Sequence, residues 1–511
     1  MIRKFDNLVT NHIDFMNGFN FDHPLLKIGA GGIPWTIWNS FEGLQIFGGI
    51  GSGKTSGSGR FFALKFLSAG YGGLVLTVKP DEKDEWVRYC EKANRLDDLI
   101  IVEPNGDNYF NFLQYESTHS GDKSYTQNIV QVLKTVIRAS EEKNGSISDP
   151  FWESSLDMLI SNTVDLCWLA HGKVTVEHIY NIARGASKRN KEKQDNDFNA
   201  ALKLAKKNVQ EKMAAWTAKQ DIHEMSKMTQ EEYDIYLQEN MHEARTLMFI
   251  EQFFMETYFD LAENTRSIID FSFTGFLYHL MKEPIYSLFC NRPSTFTPED
   301  CFSGKIIIVN LPVKLYHKVG RDIQIMFKYI WQRAMERRNV NIHGRPVFLW
   351  ADEAQNFLHE YDADYQATAR SSRIATVYIT QNIPNYYANM DGNSGENKVK
   401  SFLGTLATKI FHANADTETN TYASNLIGQA YQRKESEATS VVDGKTSITT
   451  TVDAELVQIV RPERFHTLKT GGSRNGNKVT GIIHAQGVKL RDGFSFDGIQ
   501  FDQTTDYSKN N

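Results

Sequence analysis

Apolar residues gather along the chain into short runs rich in β-branched side chains and bounded by turn residues. These runs are Leu44–Phe47, 73–78, Leu99–Val102, 305–310, 347–350, 376–380 and Thr408–Phe411. They lack apolar–polar alternation, so each predicts a strand covered on both faces. Helical stretches separate them, which makes the expected fold class α/β with a mainly parallel central sheet. Two segments are less clear. One is 401–411; the other is 439–452, where Asp443-Gly444 between β-branched runs suits either a hairpin or an exposed loop.

From about residue 125 to 279 the strand signal fades and helical periodicity takes over. Phe198, Leu202, Ala205, Val209, Met213 and Trp216 recur at steps of three and four and draw one apolar stripe. Polar positions are mostly basic over 188–219 and mostly acidic over 221–243. A solvated helical hairpin of mixed charge accounts for this. A DNA-touching helix from the basic half is the sharper alternative. No internal repeat is visible, and the polar tail 502–511 reads as disordered.

A chain of 511 residues exceeds what one hydrophobic core serves, so two or more domains are expected. The formal net charge of -6 announces no nucleic-acid binder; work on DNA at this charge would need basic groups focused in a local groove or pore. Cys90, Cys167, Cys290 and Cys301 are far apart, which argues against a disulfide framework or a zinc site and suits a reducing cytosol. No apolar run approaches the roughly 18–20 residues that cross a bilayer. The N-terminus, Met1-Ile2-Arg3-Lys4-Phe5-Asp6, lacks the apolar stretch of a signal peptide. The expected location is cytoplasmic.

Chemistry enters at Gly48-Gly49-Ile50-Gly51-Ser52-Gly53-Lys54-Thr55, a full G-x-x-x-x-G-K-[ST] motif followed by Ser56. A predicted strand, Leu44–Phe47, precedes it, and 60–67 reads as the helix after it. Glycines let backbone N–H groups turn inward around phosphates, and the helix N-terminus adds positive potential. Residues 48–56 are thus the expected ATP cradle, with Lys54 on the β- and γ-phosphates and the Thr55 hydroxyl on Mg²⁺. A second element narrows the class. The apolar run Val347-Phe348-Leu349-Trp350-Ala351 ends in Asp352-Glu353, placing two carboxylates at the strand edge where such folds bind ligands. Asp352 would hold Mg²⁺ through water, and Glu353 would polarise the attacking water. One strand further, Thr380-Gln381-Asn382 offers Gln381 as a γ-phosphate sensor; alone it is equally a strand-end cap.

With these pieces in order, the sequence resembles the TraD/TraG-type coupling ATPases of conjugation and type IV secretion, within the FtsK/HerA-like motors. The resemblance runs over roughly 44–501. It includes Asn111-Phe112-Leu113, Asp149-Pro150-Phe151-Trp152, and Arg266-Ser267-Ile268-Ile269 followed by Phe276-Leu277. It continues through 306–312, Asp352-Glu353-Ala354-Gln355-Asn356-Phe357, Ile379-Thr380-Gln381-Asn382, and Thr417-Glu418-Thr419 with Tyr422 and Gly428. It implies a RecA-like domain from 41–120 and 280–501, an inserted all-α domain at 121–279, and an N-terminal segment 1–40 without a transmembrane helix. It further implies a ring, a hexamer, whose ATP sites are completed by a neighbour's arginine. Arg370 stands where that finger would fall, and Arg373 competes with it.

Two departures from the family's pattern stand out. The usual N-terminal membrane helices are absent, so docking at the inner membrane would go through a partner. The usual acidic residue after the second strand is replaced by Thr77-Val78-Lys79-Pro80, with Asp81-Glu82 following. The leading expectation is an ATP-driven DNA translocase that couples DNA, with or without an attached relaxase, to a secretion channel. A soluble HerA/FtsK-like motor of DNA processing, packaging or defence and a nucleotide-gated protein scaffold are the alternatives.

Overall fold

The computed structural model of the protein describes residues 18–29, 31–119, 125–142, 150–187, 196–220, 228–390, 395–442 and 445–508. The chain forms two compact units. One comprises Met1–Leu99, Glu299–Ile308 and Ala334–Asn511; the other comprises Ile100–Pro298 and Val309–Arg333. The second unit is therefore wider than the 121–279 insert expected from the sequence.

The first unit opens with an antiparallel pair, β1 (Pro24–Ile28) and β2 (Ile33–Thr36). The strands that follow are β3 (Leu44–Phe47), β4 (Gly72–Leu76), β5 (Leu99–Val102), β6 (Ile306–Val309), β7 (Val347–Asp352), β8 (Ile374–Thr380) and β9 (Thr408–Phe411). A ribbon of β10 (Gln429–Val442) and β11 (Lys445–Gln458) stands apart from the sheet, and β12 (Lys478–Ala485) and β13 (Phe496–Asp502) close the series. The nine-stranded sheet has the order β13-β12-β9-β3-β8-β7-β4-β6-β5. Strand β3 pairs in parallel with β8 and β9, and β7 with β4 and β8; β12 adds an antiparallel edge.

Burial explains the pattern. Every residue of β3, β4, β6, β7, β8 and β9 is buried, as apolar strands without alternation require. On one face the helix Arg60–Ser68 brings Phe66 to Phe348, and the helix Glu82–Lys92 sets Trp86 against Phe348 and Trp350 at ring distances of 5.5 and 5.2 Å. The other face carries Tyr378, packed edge-on to Phe402 at 5.0 Å.

Several expectations change. Segment 401–411 divides into the end of a helix, Gly395–Thr405, and β9; Gly395, Val399, Phe402 and Leu403 are the helix's buried positions, at helical spacing. Segment 439–452 belongs to the β10–β11 hairpin, with Asp443-Gly444 outside the described residues. After β7 the chain forms only the 3₁₀ turn Ala354–Asn356, because Glu353 adopts left-handed angles (φ 50, ψ 49), and regular helix starts at Asp362. The tail is not disordered as far as Ser508. Tyr507 packs against Phe61 at 4.8 Å, and its hydroxyl accepts from the Asp502 N–H. One aromatic anchor outweighs the surrounding polar composition.

Between Phe112 and Ser303 every described regular element is helical. The predicted stripe lies on the helix Asp197–Thr217, with Phe198, Leu202, Ala205 and Val209 buried and Met213 and Trp216 half-buried. Helices Gln230–Asn240 and His242–Gln252 pack beside it, broken at Met241. Lys212 pairs with Glu243 at 3.0 Å and Lys206 with Glu251, the arrangement of the mixed-charge reading.

Candidate functional site

The loop after β3 is hung from its two neighbouring strands: Gly48 N–H donates to the Thr380 carbonyl (3.2 Å) and Gly49 N–H to Ala413 (2.8 Å). Gly51 and Gly53 have φ of 69° and 81°, the left-handed region that favours glycine. A Cβ at Gly53 would also lie 2.5 Å from the Val479 side chain. Thr55–Gly59 forms a π turn before the α-helix begins at Arg60, with Gly57 N–H bonded to Gly53 and Gly59 N–H to Lys54. Such turns cluster at functional sites.

Strand β7 delivers the carboxylates. The Thr55 hydroxyl donates to Asp352 Oδ2 at 2.8 Å, and Asp352 Oδ1 accepts from the Glu353 N–H at 2.8 Å. The left-handed backbone of Glu353 is rare for a non-glycine residue. Its carboxylate lies 3.4 Å from Lys54 Nζ and accepts from Gln355 Nε2 at 2.9 Å and, more loosely, from Gln381 Nε2 at 3.4 Å. Burial pushes the Glu353 carboxyl up, but Lys54, Gln355 and Gln381 outweigh it and hold it below its ordinary range. Asn414 donates to the Gln381 carbonyl at 2.8 Å and so ties the end of β9 to the end of β8. A cleft of about 400 Å³ opens beside the loop, lined by Gly49, Ile50, Ser52, Gln381, Asn382, Asn414, Asp416 and His466 among others. That volume suits a small-molecule ligand.

The structure thus brings together Gly48, Gly49, Gly51, Ser52, Gly53, Lys54, Thr55, Asp352, Glu353 and Gln381. Ile50 is on the loop, 90% exposed, at the wall of the cleft. The Ser56 hydroxyl accepts from Gln503 Nε2 at 2.7 Å and is thereby turned toward the chain's end. Three residues escaped the sequence reading. Glu82 folds back so that its carboxylate accepts from the Val78 N–H at 2.7 Å, supplying an acid beside the end of β4. Burial and the neighbouring Asp352 push its pKa up to about 8. Lys79 feels Asp352, Glu82 and Glu353, which overcome its burial and raise its pKa. His412, fully buried at the end of β9, bonds Ser58 through Nε2 (2.7 Å) and the Thr480 carbonyl through Nδ1 (3.0 Å). The run Lys79-Pro80-Asp81-Glu82 was a visible signal for the first two; His412 had none.

A family model described as Type IV secretory system Conjugative DNA transfer matches residues 6–472. The chain belongs to this family. A comparison with curated proteins finds no match. Among solved structures, the unbound monoclinic form of the bacterial conjugative coupling protein TrwBdeltaN70 aligns with a TM-score of 0.57 at 12% identity, covering 94% of this chain and 88% of that one. TrwB in complex with ADP and Mg2+ aligns with a TM-score of 0.54 at 11% identity, over 94% and 91% of the two chains. TrwB with the non-hydrolysable ATP analogue ADPNP gives 0.53 at 12%, over 99% and 97%. At this identity the likeness is one of fold, a RecA-like sheet with an all-helical part. The TraD/TraG-type resemblance holds, and the conjugative DNA-transfer family places the chain among coupling proteins of type IV secretion.

For a coupling protein the position of Arg370 is instructive. It follows the helix Asp362–Ala369 and precedes β8, at the strand end opposite Gln381. Its side chain is 63% exposed, 3.0 Å from Glu42, with its guanidinium over Trp38. It does not reach the P-loop of its own chain. Arg373 is committed elsewhere: in left-handed backbone (φ 53), it donates to the carbonyls of Val340 (2.9 Å) and Gly344 (3.2 Å) and covers Phe21. No described helix is long and apolar enough to cross a membrane.

Proposed function

We propose that this coupling protein binds Mg-ATP at 48–56 and hydrolyses it to translocate DNA toward the secretion apparatus. The observation that carries the reading is the convergence of Lys54, Thr55, Asp352, Glu353 and Gln381 on one strand edge, with Thr55 on Asp352 at 2.8 Å and Lys54 on Glu353 at 3.4 Å. A hydroxyl beside a single carboxylate suits Mg²⁺, which keeps most of its waters and takes its remaining ligands from phosphate. When bound, the ion would neutralise charge on the β- and γ-phosphates, held by Thr55 and, through water, Asp352. Lys54 binds and orients the phosphates. Glu353, kept ionised by its neighbours, accepts hydrogen bonding from the attacking water, and Gln381 links that carboxylate to the end of β8.

The described lining of the cleft contains no arginine. A shared site supplied by Arg370 of an adjacent subunit therefore fits, and with it a ring, a hexamer on the family pattern. Relaxase and membrane-channel proteins are the partners such a ring would serve at the inner membrane. ATP turnover measured with and without single- and double-stranded DNA tests the reading. Stimulation by DNA is expected. Turnover indifferent to DNA would leave a nucleotide-gated scaffold.

A further inference from the structure

Among the described residues, the β10–β11 ribbon is a long stretch of the first unit that its own body does not cover. All residues over 431–439 and 448–456 are exposed. A two-stranded hairpin is marginal in water unless something packs on it. Fourteen residues per strand make it about 45 Å long.

Its two faces differ. The register sets Tyr431 opposite Leu456, Glu435 opposite Val452 and Thr439 opposite Ile448, and this spacing puts all six on one side, with the pairs Arg433–Ala454 and Glu437–Thr450 between them. The exposed large apolar side chains are all on this side, among three charged ones. Tyr431, Ile448, Val452 and Leu456 are between 50% and 77% exposed. The reverse side carries Gln432, Lys434, Ser436, Thr451, Asp453 and Glu455, with a Lys434–Glu455 pair at 3.8 Å. Such a ribbon has the width to enter a DNA major groove. Its charge forbids that: 429–458 holds three basic residues (Arg433, Lys434, Lys445) and five acidic ones (Glu435, Glu437, Asp443, Asp453, Glu455).

The ribbon is rooted at the rim of the nucleotide cleft. Asp416, in the cleft wall, caps the helix Thr417–Ile427, which leads through Gly428 into β10. On the return, Ile459 N–H bonds the Gly428 carbonyl, and the turn Pro462–Thr467 brings His466 into the same wall. The proposed arginine of an adjacent subunit must approach this rim. One face of a ribbon this long and about 10 Å wide, packed on a partner, buries roughly 900 Å² over both sides, just under the roughly 1,000 Å² a specific interface should clear, so the ribbon adds to the contacts around the shared site and does not replace them.

We infer that the β10–β11 ribbon is an assembly arm that lays its Tyr431–Val452–Leu456 face on a second copy of this chain beside the shared ATP site. The inference rests on the ring reading above. Its test is the variant Tyr431→Ser, Val452→Thr, Leu456→Ser, with a second variant replacing 431–456 by a short Gly/Ser turn. Mass is followed by sedimentation velocity over a concentration series with a non-hydrolysable ATP analogue. Binding of fluorescent ADP by each variant, within about twofold of wild type, shows that the nucleotide site is intact. Wild type is expected to assemble, and both variants to need about tenfold more protein or fail to assemble. Variants that assemble like wild type overturn the arm and leave the ring standing. Wild type that stays monomeric throughout overturns the ring reading, and the arm's occupant with it.

Discussion

Lys54 and Glu353 face each other across 3.4 Å, and their roles separate on substitution. Lys54→Ala removes the only cation of the loop, so ATP turnover is expected to vanish; turnover within a few-fold of wild type would remove this site from the account. Glu353→Gln keeps the shape and an oxygen for Lys54 but loses basicity. Nucleotide binding should persist while hydrolysis falls by about 10²–10⁴-fold. His412 makes a different prediction. Burial, with nearby Lys54 adding to it, lowers its pKa to about 4 against an ordinary 6.5. Between those values the unfolded chain takes up a proton that the folded chain refuses. Stability is whole above pH 6.5 and falls as pH drops toward 4. Urea-unfolding midpoints at pH 7 and pH 5 should therefore separate more in wild type than in His412→Leu. Equal separation would show that His412 is not the group responsible. Buried His484, also lowered to about 4, keeps part of the dependence in the variant.

At the scale of elements, the helix Glu82–Lys92 depends on one side chain. Trp86 is buried against Phe348 and Trp350, and the same helix carries Glu82 to the end of β4. Trp86→Ala should cost about 3–5 kcal/mol in chemical unfolding and loosen Glu82 with it. A cost below about 1 kcal/mol would mean the helix is held from elsewhere. Elements like this one show what a sequence makes legible. Strands β3, β4 and β6 to β9 were readable because both faces are buried, which leaves continuous apolar runs; the P-loop and Asp352-Glu353 were readable because their spacing is local. Glu82 was not, because its carboxylate reaches the site by folding back four residues to Val78. His412 was not, because its partners Ser58 and Thr480 lie 354 and 68 residues away and only the sheet order unites them. The short turn Ala354–Asn356 was not legible either, because it is set by one left-handed residue, Glu353, that no local pattern announces.

At the scale of the whole molecule the question is where a further arginine would come from: the described lining of the cleft holds none, and Arg60, in the hollow beside Thr55 and Asp352, donates to the Gln503 carbonyl at 2.9 Å. Arg370 sits at the end of β8 away from Gln381, exposed and lightly held by Glu42, while Arg373 is braced by two carbonyls. Of the two, Arg370 is the one a neighbour could receive without dismantling its own subunit. If it acts in trans, Arg370→Ala protein should bind ATP normally, since its P-loop is untouched. Turnover should nearly vanish, because an arginine finger contributes roughly 10³–10⁵ in rate in well-studied P-loop enzymes. Homogeneous rings of Arg370→Ala or of Glu353→Gln each lack one half of every site. Mixed rings contain some interfaces with an intact Glu353 on one side and an intact Arg370 on the other, so mixing the two inactive proteins should restore part of the activity. Restoration depends on both a shared site and an oligomer, which no single variant tests together. Absence of restoration in rings shown to have mixed would exclude Arg370 and send the search to other exposed arginines.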